Sequence, residues 1–381
     1  MALHTDNKTK HNDLYISFEL SLLKWVLDFS NGKKRYQRTI EALDLEALDK
    51  AIETAKLKLA ISDDATIHSC YEAGRDGFYL HRHLLNIGIN NYVIDAASME
   101  VSRRGRQVKT DKIDAIKLNK LLQRYVAGDS SVWSVVVVPS KEQEDLRNLH
   151  RSEQRLQKEL TRIRNQLKSI FVCIGSRLGY VPVSKEGWEK KLKATRTLTG
   201  DKILPYTLLE IENLYKIYID LRKLLMEIEK EKKLLLETSE EPSIKMVKQL
   251  MELKGVGLKS AWLFVMEFFG WRKFKNRRQV GGLSGLVSCP YDSGNSRISQ
   301  GISKAGNRRV RGMITEIAWK WLDYQPDCKI SIWFKDRFGP HSKRSRRVGI
   351  VAVCRRLLIG LWRYLETGEL GEGMVLKELS V

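Results

Sequence analysis

The sequence predicts an α/β domain followed by a mostly helical remainder (α/β plus α), and three observations predict it. Over residues 14–125, short β-type runs alternate with helical patterns. Over residues 141–236, leucine and isoleucine recur at heptad spacing in two series. From 243 to 369 the pattern is helical again, interrupted by one stretch rich in serine, glycine and arginine. A hairpin followed by strand–helix–strand–helix is the order of an α/β domain with a mixed sheet. The expected domains are therefore 10–139, 140–242 and 243–370.

Taken in order, Leu14-Tyr-Ile-Ser-Phe-Glu19 and Lys24-Trp-Val-Leu-Asp-Phe29 read as the hairpin. Ala65-Thr-Ile-His-Ser-Cys-Tyr71 and Asn91-Tyr-Val-Ile-Asp95 read as later strands, with helical patterns at 43–61, 77–85 and 110–123. The apolar run 132–139 closes this zone or links it to the next. In the middle zone, Leu146, Leu149, Leu156, Leu160, Ile163, Leu167 and Ile170 fill a and d positions, with Glu153 as the exception. Leu214, Ile217, Leu221, Leu224, Ile228 and Leu235 repeat the pattern, with Glu231 as theirs. Such seams bury against a partner helix, within one chain as a helical hairpin or between chains as a coiled coil. The connection 177–205 reads as polar, irregular and exposed. In the last zone, Lys254-Gly-Val-Gly-Leu-Lys259 has the Gly-x-Gly turn of a helix-hairpin-helix. Its amides either hold a phosphate or simply turn tightly between helices. A helix is expected at 310–322.

Composition narrows the partners. Of 381 residues, 67 are Lys or Arg and 46 Asp or Glu, a net charge of +21. A field of that sign and size favours a polyanion, because releasing condensed counterions drives association. Nucleic acid fits better than an anionic membrane, since no long basic amphipathic helix is present. No apolar run is long enough to span a bilayer, and the polar segment at 4–12 is no signal peptide. Hydrophobic residues at 43% and charged residues at 30% describe a soluble globular chain. The five cysteines are scattered and never spaced as CxxC, which argues against a disulfide framework or a zinc site and suits a reducing cytoplasm.

The chemistry is expected in acids of the first zone. Asp111 and Asp114 lie in Lys109-Thr-Asp-Lys-Ile-Asp-Ala115, three apart, so on a helix they share a face. As plain residues they suit a solvated first turn; with a cation between them they are a ligand pair. Glu72 closes a strand in Tyr71-Glu-Ala-Gly74, and Glu19 stands among apolar neighbours in Phe18-Glu-Leu-Ser21. Glu19 is either an outward-facing strand residue or a carboxylate that needs a partner, because burying one unpaired is costly. Four such oxygen donors suit Mg²⁺, and two Mg²⁺ ions can clamp the attacking and leaving oxygens of a phosphodiester.

Together these segments resemble the IS110/IS1111 family of transposases, the DEDD recombinases of insertion sequences, over nearly the whole chain. Tyr71-Glu-Ala-Gly74 and the run from Lys109 to Ala115 match the family's second acid and final acidic pair. Ser293-Gly294, followed by Ile302-Ser-Lys-Ala-Gly-Asn307 and Arg311, resembles its C-terminal serine signature. One position departs: where the family opens with Asp, this chain has Glu19, one methylene longer.

The resemblance implies a RuvC-like, RNase H-type N-terminal domain, central coiled-coil helices and a helical C-terminal domain. It implies a recombinase of element and target DNA, directed by a structured guide RNA and working as a homo-oligomer, dimer or tetramer, through its coiled coil. Catalysis would rest on Ser293, with Ser296 and Ser299 as rival nucleophiles, and on Mg²⁺, or Mn²⁺ in its place, held by Glu19, Glu72, Asp111 and Asp114. Lys109, Arg297, Lys304, Arg308, Arg309 and Arg311 would contact phosphates. The expected setting is the cytoplasm, at the nucleoid during action, with no membrane partner. A RuvC-like junction endonuclease using activated water would keep the acids but form no protein–DNA adduct. A non-enzymatic nucleic-acid scaffold would tolerate Glu72→Gln or Asp111→Asn.

Overall fold

The computed structural model of the chain describes residues 13–74, 77–100, 110–293 and 296–378. The chain folds as two compact units, Met1–Val138 and Pro139–Val381.

The N-terminal unit is built on five strands: β1 (Leu14–Leu20), β2 (Lys24–Ser30), β3 (Arg35–Glu41), β4 (Ile67–Glu72) and β5 (Asn90–Ile94). Their order is β3-β2-β1-β4-β5, antiparallel from β3 to β1 and parallel from β1 to β5. Three helices complete the unit: α1 (Leu45–Leu59), α2 (Tyr79–Asn86) and α3 (Asp111–Val126). Side-chain alternation sorts the two faces of the sheet. Leu14, Ile16, Phe18, Trp25, Leu27, Phe29 and Tyr71 form one core with α1 and α2. Cys70 and Ile94 form another with Leu118, Leu122, Val132 and Trp133 on the α3 face. The 132–139 run adds no strand of its own; it hydrogen-bonds β5 through Val136 and Val93 and meets Ile94 at Val135.

The C-terminal unit is helical. Two long helices, α4 (Lys141–Cys173) and α6 (Pro205–Thr238), pack together and flank α5 (Lys185–Ala194). The packing is antiparallel: Ile163, Leu167 and Phe171 meet Ile211, Leu214 and Tyr218, while Glu153 meets Lys232. The expected α6 seam is only partly spent on α4, since Ile217 and Leu224 remain 46% and 45% exposed. The 177–205 segment is not an irregular connection throughout. Ser184 caps α5, whose Trp188 is buried and stacks on Tyr215 at 4.2 Å.

The remaining helices are α7 (Pro242–Glu252), α8 (Leu258–Phe264) running into a π-helical turn at Val265–Phe269, α9 (Arg277–Ser284), α10 (Arg308–Tyr324), α11 (Lys329–Phe338) and α12 (Lys343–Thr367). Trp262, Phe264, Phe268, Trp321, Leu357 and Leu358 lie at the centre of their core. The Gly-x-Gly turn joins α7 to α8, with Gly255 at φ 94°, a conformation few other residues adopt. The serine-rich stretch is a hairpin, β6 (Ser288–Ser293) and β7 (Ser296–Ile302), not a loop. The segment beyond Glu369 docks on the same core: Leu376 bridges to Leu253 and Lys377 donates its amide to Glu252.

Candidate functional site

The acids of the N-terminal unit are positioned by strand ends and a helix start. Phe18 and Tyr71 are the last register partners of β1 and β4, and Glu19 and Glu72 each follow by one residue. Alternation puts both on the α3 face, with Ser17 and Cys70. Glu19 and Glu72 line one open cleft of about 380 Å³ beside Ser21, Ala73 and Gly74.

Helix α3 begins over the same end of β1. Ser17 Oγ donates to the Ala115 carbonyl at 2.6 Å, and Asn119, one turn later, donates to the Tyr15 carbonyl at 3.0 Å. The helix therefore runs against β1, and its first turn lies toward Glu19. Thr110 caps it by accepting from the Ile113 amide, and Asp111 and Asp114 complement the helix dipole there. Asp111 is exposed, while Asp114 is half-buried and pairs with Lys117 at 3.4 Å. Asp111 and Asp114 are not among the residues lining the cleft of Glu19 and Glu72, and among the described residues no three carboxylate, His or Cys side chains converge closely enough to cage a metal ion. The donors are all hard oxygens, which suits Mg²⁺. The two glutamates are the pair brought together, and Lys109 lies outside the described residues.

A further carboxylate occupies this face. Asp28 is the register partner of Ser17, fully buried, and pairs with Arg35 at 3.2 Å. Asn119 donates to its carbonyl at 2.7 Å. Burial pushes the Asp28 carboxyl up to about 6, against the pull of Arg35, Gln37 and Lys120. Gln37 also donates to the Lys112 carbonyl at 3.0 Å, so the surroundings of Asp28 reach the first turn of α3. Its sequence signal was that of Glu19: one acid inside an apolar run, Val26-Leu-Asp-Phe29.

In the C-terminal unit, Ser293 ends β6 and pairs in register with Ser296, which opens β7, while Ser299 pairs with Pro290. Gly294, and the side chains of Ser293, Ser296, Arg297 and Ser299, lie outside what the structure describes. The rest of the signature is explained by packing. A Cβ on Gly306 would stand 2.1 Å from the Leu283 carbonyl oxygen, so only glycine fits where this turn crosses the end of α9. Asn307 caps α10, accepting from the Arg309 amide at 2.9 Å. Arg311 Nη1 donates to the Gly306 carbonyl at 2.5 Å and the Ser284 carbonyl at 3.2 Å, so part of its guanidinium is committed to the fold. Lys304 (φ 56°), Arg308 and Arg309 are exposed beside this turn.

Behind the turn lies Glu267, fully buried in the π-helical segment. Asn307 Nδ2 donates to its carboxylate at 3.1 Å, Arg151 Nε at 2.9 Å, and Arg147 and Arg309 stand at 3.6 and 3.9 Å. Burial alone would raise its carboxyl, but the surrounding hydrogen bonds and charges of Arg151, Arg147 and Asn307 leave it below the usual range. π-turns concentrate where a side chain must be placed against the helical register. Sequence reasoning missed Glu267, although Val265-Met-Glu-Phe-Phe269 carries the same signal of an acid among apolar residues.

Carboxylates at a sheet end, in a chain of charge +21, mark a protein that handles polyanionic strands. Residues 247–330 match the family described as Transposase IS116/IS110/IS902. The chain is 33% identical over 384 residues to the y4rJ protein of Sinorhizobium fredii, which carries a provisional transposase designation; the alignment covers 96% of this chain and 94% of that one. It is 28% identical to the transposase for insertion sequence element IS1533 of Leptospira borgpetersenii, over 70% of this chain and 72% of that one. It is 24% identical to the transposase for IS1328 of Yersinia enterocolitica, over 61% and 66%. The chain belongs to the IS110 family of insertion-sequence transposases. Among the described residues no helix is long and apolar enough to cross a membrane.

Proposed function

We propose that the protein cuts and rejoins DNA strands of its insertion sequence through a serine nucleophile and an acidic site. The observation that carries the reading is the shared cleft of Glu19 and Glu72 at the ends of adjacent parallel strands. The hairpin-then-crossover order of the sheet supports a RuvC-like scaffold. Glu19 and Glu72 would hold Mg²⁺ or Mn²⁺, with Asp111 and Asp114 contributing from α3. With its extra methylene, Glu19 would have to place its carboxylate differently from an aspartate at this position. When bound, the ion would neutralise charge gathering on the scissile phosphate.

The chain's own groups then act as follows. The Ser293 hydroxyl oxygen attacks phosphorus, an Oγ–P bond forms and the P–O bond to the departing strand breaks. The proton lost by serine ends on the departing oxygen. The second transfer reverses this with a new strand as nucleophile, so the bond energy is kept in the phosphoserine and no external energy source is needed. Lys304, Arg308 and Arg309, exposed beside the turn after β7, would hold strand phosphates together with Lys109, Arg297 and Arg311. The outward-facing Ile217 and Leu224 of α6 offer an apolar stripe for a second copy, in line with a multimeric assembly. A structured RNA encoded by the element would select donor and target, drawing on the positive charge. Such a protein acts in the cytoplasm, at the nucleoid.

A denaturing gel of the protein with labelled element-end DNA, its flanking transcript and Mg²⁺ tests the scheme. A DNase-sensitive slow band is expected, and it should vanish in Ser293→Ala and in Asp111→Asn. An adduct that persists in Ser293→Ala moves the nucleophile to Ser296 or Ser299. Cleavage without an adduct replaces the scheme with hydrolysis by water.

A further inference from the structure

A groove of about 640 Å³ in the C-terminal unit is lined by α11, α12, the start of α9 and the 369–374 segment, and shares no lining residue with the serine signature. Arg277, Arg355, Arg356 and Arg363 line it. Among the described residues none of these four has a carboxylate within ion-pair distance, whereas Lys50, Arg162, Lys233 and Lys245 elsewhere each have one. Lys329 at its end is taken by Glu372, which leaves Glu369 as the groove's carboxylate outside an ion pair. Four guanidiniums facing one carboxylate repel one another unless an anion joins them.

Two of the arginines are also held in place. Arg356 lies 3.8 Å above the Trp333 ring, and Arg355 approaches α9 so closely that a Cβ on Gly281 would meet its Nε at 3.0 Å. Stacking fixes a guanidinium plane at little further entropic cost, which suits a contact to phosphate oxygens. Arg356 and Arg363 are seven residues apart on α12, about 10 Å along its axis. That equals roughly three base-pair steps along the axis of duplex DNA, at a rise of about 3.4 Å each.

We propose that this groove is a second grip on the phosphodiester backbone of duplex DNA, separate from the serine turn. DNA is the polyanion on which transposases act, so the inference rests on the family and not on the identity of the nucleophile. The grip would hold the strand without reading its sequence, since arginine contacts to phosphate position and do not specify.

The test is fluorescence anisotropy of the full chain with a labelled duplex of about 30 base pairs across a KCl series. Arg356→Gln/Arg363→Gln should weaken binding about tenfold or more and lower the log–log salt slope by about 2. Arg277→Gln/Arg363→Gln, which leaves the Trp333 stack alone, should lower the slope equally and guards against a folding defect. Lys190→Gln/Lys193→Gln removes the same charge from α5 and should change affinity about twofold or less. Equal losses in groove and control variants would reduce the effect to net charge and overturn the proposal. Loss of binding to a single-stranded RNA probe with duplex affinity unchanged would overturn it as well. The readout is equilibrium binding and not strand cleavage, so failure of the nucleophile assignment and failure of the groove are read apart.

Discussion

Single residues in this chain are constrained where backbone meets backbone. Gly306 is the clearest case, because its Cβ would press on the Leu283 carbonyl at 2.1 Å and on Gly285 at 2.6 Å, neither of which is the end of a flexible side chain. Gly306→Ala must push the turn off α9 and loosen the Arg311 clasp. The expected cost is roughly 2–3 kcal/mol, seen as a lower urea midpoint at unchanged slope. A midpoint equal to that of the parent would mean the crossing is softer than the packing shows. The serine signature is thus partly architectural: its glycine, asparagine and final arginine build the turn, and the serine stands at the hairpin beside it. In the sequence, Glu19 drew attention as an acid among apolar residues, and the same rule points to Asp28 and Glu267. Those two were overlooked because none of the segments that carry the family resemblance includes them, while the physical signal was equally strong.

At the scale of elements, legibility followed burial. The helices α1, α3, α4 and α6 were readable because each has a repeating apolar stripe, and β1, β2, β4 and β5 because their apolar runs are short and bounded. The edge strand β3 was not, since Arg35-Tyr-Gln-Arg-Thr-Ile-Glu41 buries Ile40 alone and depends on β2 for its register. Helix α5 was missed for the same reason: it buries only Trp188. The two breaks in the heptad series have different explanations. Glu231 is exposed, whereas Glu153 is met by Lys232, 2% exposed and lying 4.7 Å over the Trp262 ring. Burial pulls the Lys232 ammonium below its usual range while Glu153 holds it up. Removing one partner leaves a buried charge alone, so Glu153→Leu should cost about 3–5 kcal/mol. Replacing both, as Glu153→Leu/Lys232→Met, should recover most of that loss. Circular dichroism melts of the three variants read the difference, and a double variant no better than the single would show that the pair does more than neutralise itself.

Across the whole molecule, two buried titrating groups set the units against each other as pH falls. Asp28 in the N-terminal unit is fully buried and titrates at about 6 instead of 3.8. Its raised value means that folding favours the protonated form. The stability it supplies is complete below 3.8 and lost as pH rises through about 6. His150 in the C-terminal unit is 3% exposed, neither ring nitrogen has a hydrogen-bond partner among the described residues, and burial beside Lys232 lowers it from 6.5 to about 4. Folding there favours the neutral ring, so its contribution is complete above 6.5 and is lost as pH falls through about 4. Acidifying from pH 7 to pH 5 should therefore stabilise the N-terminal unit by about 1 kcal/mol and weaken the C-terminal unit by about 2 kcal/mol. Amide hydrogen exchange, corrected for intrinsic rates, measures both units in one sample. Protection should rise in peptides of β1, β2 and α3 and fall in those of α4, α8 and α10. Asp28→Asn should flatten the first response and His150→Leu the second, each without touching the other. If both units gain or lose protection together in the parent chain, acid acts through the carboxylates at large, and these two side chains do not control the balance.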